Sequence, residues 1–127
     1  MININSLTDL QKQFALDNIQ TLDIKRLLNR LESWNKEVNL VGKSTLIDPW
    51  RSHILDSIQI TPFIKNKSSS ILDMGTGAGV PGLILSILGY SNVSLVDSNG
   101  KKINFIKGAC KKLDIKANIF LSRIEKL

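Results

Sequence analysis

The run from Asp73 to Gly82 constrains the fold of this 127-residue chain more than any other part of the sequence. It carries glycines at positions 75, 77, 79 and 82, and it joins an apolar run at 71–74 to a helical stretch at 81–88. Glycine lets the backbone turn tightly and approach a ligand closely, and the amides at a helix start favour polar or anionic groups. We therefore predict a ligand-binding loop between a strand and a helix.

The spacing of these glycines discriminates between cofactor classes. The dinucleotide fingerprint requires glycine at its first, third and sixth positions, but with Gly75 as the first position the sixth is Val80. The pattern Gly75, Gly77, Gly79, with an aspartate two residues before it, is typical of enzymes that use S-adenosylmethionine, which has no pyrophosphate. The three glycines are predicted to bind that cofactor, and the spacing argues against a nucleotide-binding dehydrogenase.

An acidic residue at the end of the next predicted strand supports the same assignment. Asp97 follows the apolar run 93–96 and lies 22 residues after Gly75. This is close to the spacing expected for a carboxylate that binds ribose hydroxyls. The alternative is a glycine turn followed by a strand-end aspartate with no ligand.

The order of predicted elements places the chain in the α/β class. Runs at 71–74, 93–96 and 117–121 predict strands, with helices at 81–88 and 100–113 between them, which implies a parallel sheet with right-handed crossovers. Earlier residues predict helices: one capped by Thr8 with Gln11, one over 22–38 and one over 44–60. We predict an N-terminal helical cap over 1–65 and the first half of a Rossmann-like domain over 66–127.

Composition narrows the cellular context. The chain has one cysteine, no signal-peptide pattern, and no apolar run near the roughly 20 residues of a membrane helix, so we expect a cytoplasmic protein. Its formal charge of +6 fits a polyanionic partner or a lysine-rich, soluble surface. Cys110 is assigned no chemistry because it lies on the apolar face of its predicted helix without ligand partners.

Four segments together resemble the RsmG (GidB) family, bacterial enzymes that methylate guanine N7 in small-subunit ribosomal RNA. They are Trp-Asn-Lys-Glu-Val-Asn-Leu at 34–40, His-Ile-Leu-Asp-Ser at 53–57, the glycine run at 73–82, and the stretch 95–105 with Val-Asp-Ser and Gly-Lys-Lys. A fifth segment, 122–125, resembles the one that meets the adenine ring. The likeness covers nearly the whole chain in unbroken order.

The resemblance implies a class I methyltransferase fold, S-adenosylmethionine as cofactor, and small-subunit ribosomal RNA or the subunit as partner. It implies donor contacts at Gly75, Val80, Ile124 and Glu125, although 122–125 taken alone favours a strand end with an exposed Arg–Glu pair. Guanine N7 carries no proton, so its methylation needs alignment rather than a general base. We expect no catalytic side chain of that kind and no metal.

Several other residues have a possible functional role beside a structural one. His53 and Asp56 share a helix face, and His53 either contacts RNA, holds a loop or is structural. Trp34 is expected in the core, and Trp50 either packs or stacks on a base. The lysines of helix 100–113 form a solvated face or contact phosphates.

The chain stops after its third predicted strand, whereas family members continue for several more. It is therefore expected to be C-terminally truncated relative to the family. The alternative function is a non-catalytic fragment that binds donor or RNA. We expect weak donor binding, undetectable methyl transfer, an exposed first strand and association in solution.

Overall fold

A computed structural model describes residues 7–37, 50–123 and 125 of the chain. The helical elements and strands follow one another in this order: α1 Leu7–Phe14, α2 Asn18–Asn35, a π-helical turn Trp50–Leu55, α3 Asp56–Ile58, a 3₁₀ turn Thr61–Phe63, β1 Ile71–Met74, α4 Gly82–Ile87, β2 Val93–Asp97, α5 Gly100–Leu113 and β3 Asn118–Leu121.

The described strands form one parallel sheet in the order β1-β2-β3. Ile71 pairs with Val93 and Leu95 pairs with Ile119, so the carboxyl ends of the three strands meet at one edge. α4 connects β1 to β2, and α5 connects β2 to β3. The predicted α/β, Rossmann-like class is confirmed, with a three-stranded, incomplete sheet.

The apolar periodicity of the sequence accounts for the core. Ile103, Phe105, Ile106 and Ala109 of α5 are almost completely buried, as are most apolar residues of α4 and β2. Trp34 is partly buried and packs against this core, with its ring steeply inclined to that of Phe105 at 5.6 Å between centroids. It thus lies at the border of the core in which it was predicted.

The N-terminal helices differ from their predicted bounds. α1 already includes Thr8, so the N-cap predicted at that residue is wrong. α2 begins at Asn18 rather than 22, because Asp17 and Gln20 form a reciprocal capping box: Asp17 Oδ1 accepts from Gln20 N at 2.7 Å. Of the helix predicted over 44–60, residues 44–49 lie outside the described residues, and the rest begins as a π-helical turn.

Arg30 links α2 to α5. Its guanidinium lies over the rings of Trp34 and Phe105, at 5.3 and 5.9 Å from the centroids. Gly108 leaves room for this group, because a Cβ there would overlap the Arg30 Nη2 atom. The helical segment therefore packs directly on the α/β layer, while the predicted boundary at 65/66 stays a prediction.

Apolar side chains at the two edges of the described sheet are partly exposed. Leu72 and Met74 of β1 and Phe120 of β3 are about half exposed, and β1 is an edge of the described sheet. Exposed apolar strands at an edge favour association. The expected association in solution remains a prediction. No helix in the described ranges is long and apolar enough to cross a membrane.

Candidate functional site

The loop after β1 is bonded to the end of β2, and so is the segment after β3. Thr76 N donates to Val96 O at 2.9 Å, and Ser122 N donates to Asp97 O at 3.0 Å. These bonds bring residues 75–82, 97–99 and 121–123 to the carboxyl edge of the sheet. In open α/β sheets this edge is where ligands bind.

The side chain of Asp97 connects the loop to the start of α5. One carboxylate oxygen accepts from Gly77 N and the other from Asn99 N, both at 2.8 Å. Asn99 in turn caps α5 by accepting from the amides of Lys101 and Lys102. Asp97 as a whole residue is only 9% exposed. The Asp97 carboxylate holds the loop in place. Its remaining lone pairs are the acceptors with which a ligand hydroxyl would form a hydrogen bond.

The glycines of the loop fall into two kinds. All three have positive φ, at 67° for Gly75, 60° for Gly77 and 87° for Gly79. A Cβ on Gly79 would lie 2.5 Å from Leu83 Cδ1, so packing within the protein requires that glycine. A Cβ on Gly75 would meet nothing within 4 Å, and one on Gly77 only the Gly75 carbonyl at 4.0 Å. Gly75 and Gly77 therefore border open space that a ligand can fill.

Asp73, on β1, is bonded to both ends of the loop. Its Oδ2 accepts from Thr76 Oγ1 at 2.6 Å and from Gly82 N at 3.0 Å. The first amide of α4 is thus already satisfied inside the protein rather than available to an anion. Burial raises the pKa of Asp73 above its ordinary value, the two hydrogen bonds oppose this, and the charge of Asp97 adds to it.

The raised pKa of Asp73 predicts a pH dependence of stability. Because the folded state takes up this proton more readily than the unfolded chain, the free energy of unfolding should rise as pH falls through the raised pKa toward 3.8. Asp73→Asn keeps an acceptor oxygen but cannot titrate, so it should lack this component. Denaturant unfolding of both proteins at a series of pH values measures the difference; parallel profiles would contradict it.

A cavity of about 320 Å³ lies beside Asp97, lined by Ser98, Leu121, Ser122 and Arg123. Glu125 lies past it and forms an exposed ion pair with Arg123 at 2.7 Å. Ile124 lies outside the described residues, so its predicted contact stays a prediction. The structure thus bonds Asp97 to Gly77 and leaves space beside Gly75 and Gly77, while the cavity is lined by the residues that follow β2 and by the end of β3 with the residues after it.

Val80 follows Gly79 in the same loop and is partly buried against the core, and its contact with the donor stays a prediction. His53 is 6% exposed, and burial lowers its pKa, which favours the structural interpretation over contact with RNA. The side chain of Trp50 is not among those described. Within the described ranges, no three His, Cys, Asp or Glu side chains are grouped as a metal site would require.

Two residues that shape the site were missed by sequence reasoning. Thr76 is buried and bonded to Asp73, and Asn99 caps α5. The signal for Asn99 was present, since asparagine before an apolar helical repeat is a common N-cap. Thr76 gave no such signal, because its role depends on the fold of the loop.

Comparison with known proteins agrees with this architecture. A sequence model of the GidB family, described as rRNA small subunit methyltransferase G, matches residues 20–127. The chain belongs to this family. The predicted resemblance is thereby confirmed, over α2 and the whole α/β layer.

Individual GidB-family proteins are similar over the same stretch. The ribosomal RNA small subunit methyltransferase G of Rickettsia typhi is 42% identical over 109 residues, which are 86% of this chain and 56% of the relative. That of Rhodospirillum rubrum is 43% identical over 97 residues, or 76% and 48% of the two chains. The chain thus spans about half the length of the curated relatives it matches.

Proposed function

We propose that this chain carries the donor-binding part of an S-adenosylmethionine-dependent methyltransferase that acts on guanine N7 of small-subunit ribosomal RNA. The observation that carries the proposal is the opening bordered by Gly75 and Gly77, with Asp97 fastened to its loop. Family membership supports the class of reaction and of substrate. The proposed reaction requires access to ribosomal RNA, so we also propose a cytoplasmic location.

The residues present fit the proposed donor. Side chains are absent at positions 75 and 77, where the backbone leaves room for a bulky ligand. The lone pairs of the Asp97 carboxylate left over from two backbone amides suit ribose hydroxyls. The cavity lined by Ser98 and Ser122, the residues that directly follow β2 and β3, is proposed to take the flat base. Ile124 and Glu125 are proposed to border that base.

The side chains around the glycine loop have positioning roles in the proposed reaction. When bound, S-adenosylmethionine supplies a methyl group on a positively charged sulfur. Asp73 and Thr76 fix the loop, and Asp97 holds Gly77 against β2, so the binding surface is organised before the ligand arrives. Since guanine N7 carries no proton, no residue has to remove one. Catalysis then depends on alignment of the two reactants.

Two measurements test the proposal on the chain itself. Calorimetric titration with S-adenosylhomocysteine, with NAD as the control ligand, should show heat of binding only for the former. Labelled donor and undermethylated small subunits then distinguish turnover from binding alone, the function of a non-catalytic fragment. Binding of NAD in preference to S-adenosylhomocysteine would overturn the assignment of the loop.

Asp97→Ala is expected to weaken S-adenosylhomocysteine binding by about 1.5–3 kcal/mol, the range for hydrogen bonds to a charged group. The variant loses the proposed ribose contact and leaves Gly77 N without its acceptor. The matched control is Asn99→Ala. It removes the side-chain cap of α5, and that side chain makes no hydrogen bond to the glycine loop. If Asp97→Ala changes affinity by no more than a few tenths of a kcal/mol, Asp97 is structural only.

A further inference from the structure

The solvent face of α5 has an unusual charge composition. From Ser98 to Leu113 the sequence contains five lysines and no aspartate or glutamate. By contrast, α2 and its N-cap mix both signs, with Asp17, Asp23 and Glu32 alongside the basic residues of the helix. The positive charge of the chain is therefore concentrated on one helix.

Three of these lysines form a line along α5. Lys101, Lys107 and Lys111 are exposed, and exposed Asn104 lies between the first two. Residues three and four apart lie on one side of a helix, so this lysine stripe spans the 11 residues from Lys101 to Lys111, a rise of about 15 Å. Over the described residues, no hydrogen bond or ion pair holds the three ammonium groups. Their charge is available to a partner.

The stripe begins at the candidate donor site. Lys101 N is bonded to Asn99, whose own amide is bonded to Asp97. A chain of negative charges lying along α5 would therefore have one end beside the glycine loop. That is the arrangement needed to hold a strand while one of its bases enters the opening.

We propose that the lysine stripe of α5 binds the phosphate backbone of the RNA substrate and guides it to the loop at Gly75–Gly79. The inference rests on the proposed function and specifies its substrate surface. A length of about 15 Å accommodates two or three successive phosphates, and lysines act on them as point charges without reading sequence. Specificity for the target guanine must then come from other residues.

The test compares two triple variants with the same net charge. The stripe variant changes Lys101, Lys107 and Lys111 to glutamine. The control variant makes the same change at three exposed lysines outside α5: Lys12 in α1, Lys25 in α2 and Lys36 directly after α2. Binding of a fluorescein-labelled small-subunit ribosomal RNA fragment is measured between about 50 and 200 mM salt. Circular dichroism and thermal unfolding check that both variants fold; glutamine and lysine have similar helix propensities.

The stripe variant should bind RNA at least about tenfold more weakly, and its salt dependence should be shallower by about 2 to 3 in log–log slope. The control triple should change affinity less than about twofold. Equal losses in both variants, loss in neither, or no RNA binding by the unaltered chain would overturn the proposal. So would dependence on the stripe for phosphatidylglycerol vesicles but not for RNA.

The same proteins separate this proposal from the proposed function. If the unaltered chain binds RNA through the stripe but fails to bind S-adenosylhomocysteine, the donor assignment fails and the stripe stands. If it binds S-adenosylhomocysteine and both triples bind RNA alike, the stripe fails and the donor assignment stands. The stripe variant should retain donor affinity, because its three side chains lie outside the glycine loop.

Discussion

Replacement of Gly82 by alanine is expected to lower the free energy of unfolding by about 3 kcal/mol. A Cβ at this position would overlap Leu95 Cδ2 and lie 2.9 Å from Asp73 Oδ2. Leu95 is completely buried and cannot move aside freely. The new methyl group must push α4 away from the sheet and strain the bond from Gly82 N to Asp73. Denaturant unfolding measures the effect.

Gly100→Ala is the matched control, because a Cβ there meets nothing within 4 Å. Its stability should lie within about 0.5 kcal/mol of the unaltered chain. A double variant adds a sharper criterion: Leu95→Ala makes room for the methyl group, so Gly82→Ala should cost less in that background. Additive losses, or a single-variant loss as small as that of Gly100→Ala, would contradict close packing as the reason for Gly82.

Gly77→Val is expected to reduce S-adenosylhomocysteine affinity by at least about 100-fold, or 2.7 kcal/mol. The valine side chain would project into the open space proposed for the donor. The backbone at φ 60° adds strain of about 1–2 kcal/mol for a residue with a Cβ. The N-terminal helices should stay folded, since this Cβ approaches no atom of the protein closer than 4.0 Å. Calorimetry and circular dichroism report on the two effects.

Gly77→Asn separates obstruction from strain. Asparagine tolerates positive φ far better than valine, but it fills the same space. If both variants lose donor binding, the side chain obstructs the ligand; if only valine does, backbone strain is the cause. Unchanged affinity in both would remove the glycine loop from the proposed donor site.

The local pattern of the sequence predicted much of the fold. β1 matches its predicted bounds, and α5 begins and ends at the predicted residues, Gly100 and Leu113. The glycine cluster after β1 and the apolar repeat of α5 are the signals on which these predictions rest. The predicted bounds of the N-terminal helices were less accurate. α2 starts earlier because of the capping box at Asp17, and the segment after Trp50 takes π-helical geometry that periodicity does not encode.

The sequence by itself determined the alternation of strands and helices, the glycine loop after β1, and the acid at the end of β2. Each follows from the properties of neighbouring residues. Only the tertiary structure decided that Asp97 bonds to Gly77, that Asp73 bonds to Gly82, and that Gly75 and Gly77 border open space while Gly79 does not. These relations join residues that are distant in the chain or depend on packing, because which atoms surround a glycine is set by how the helix and the strands come together.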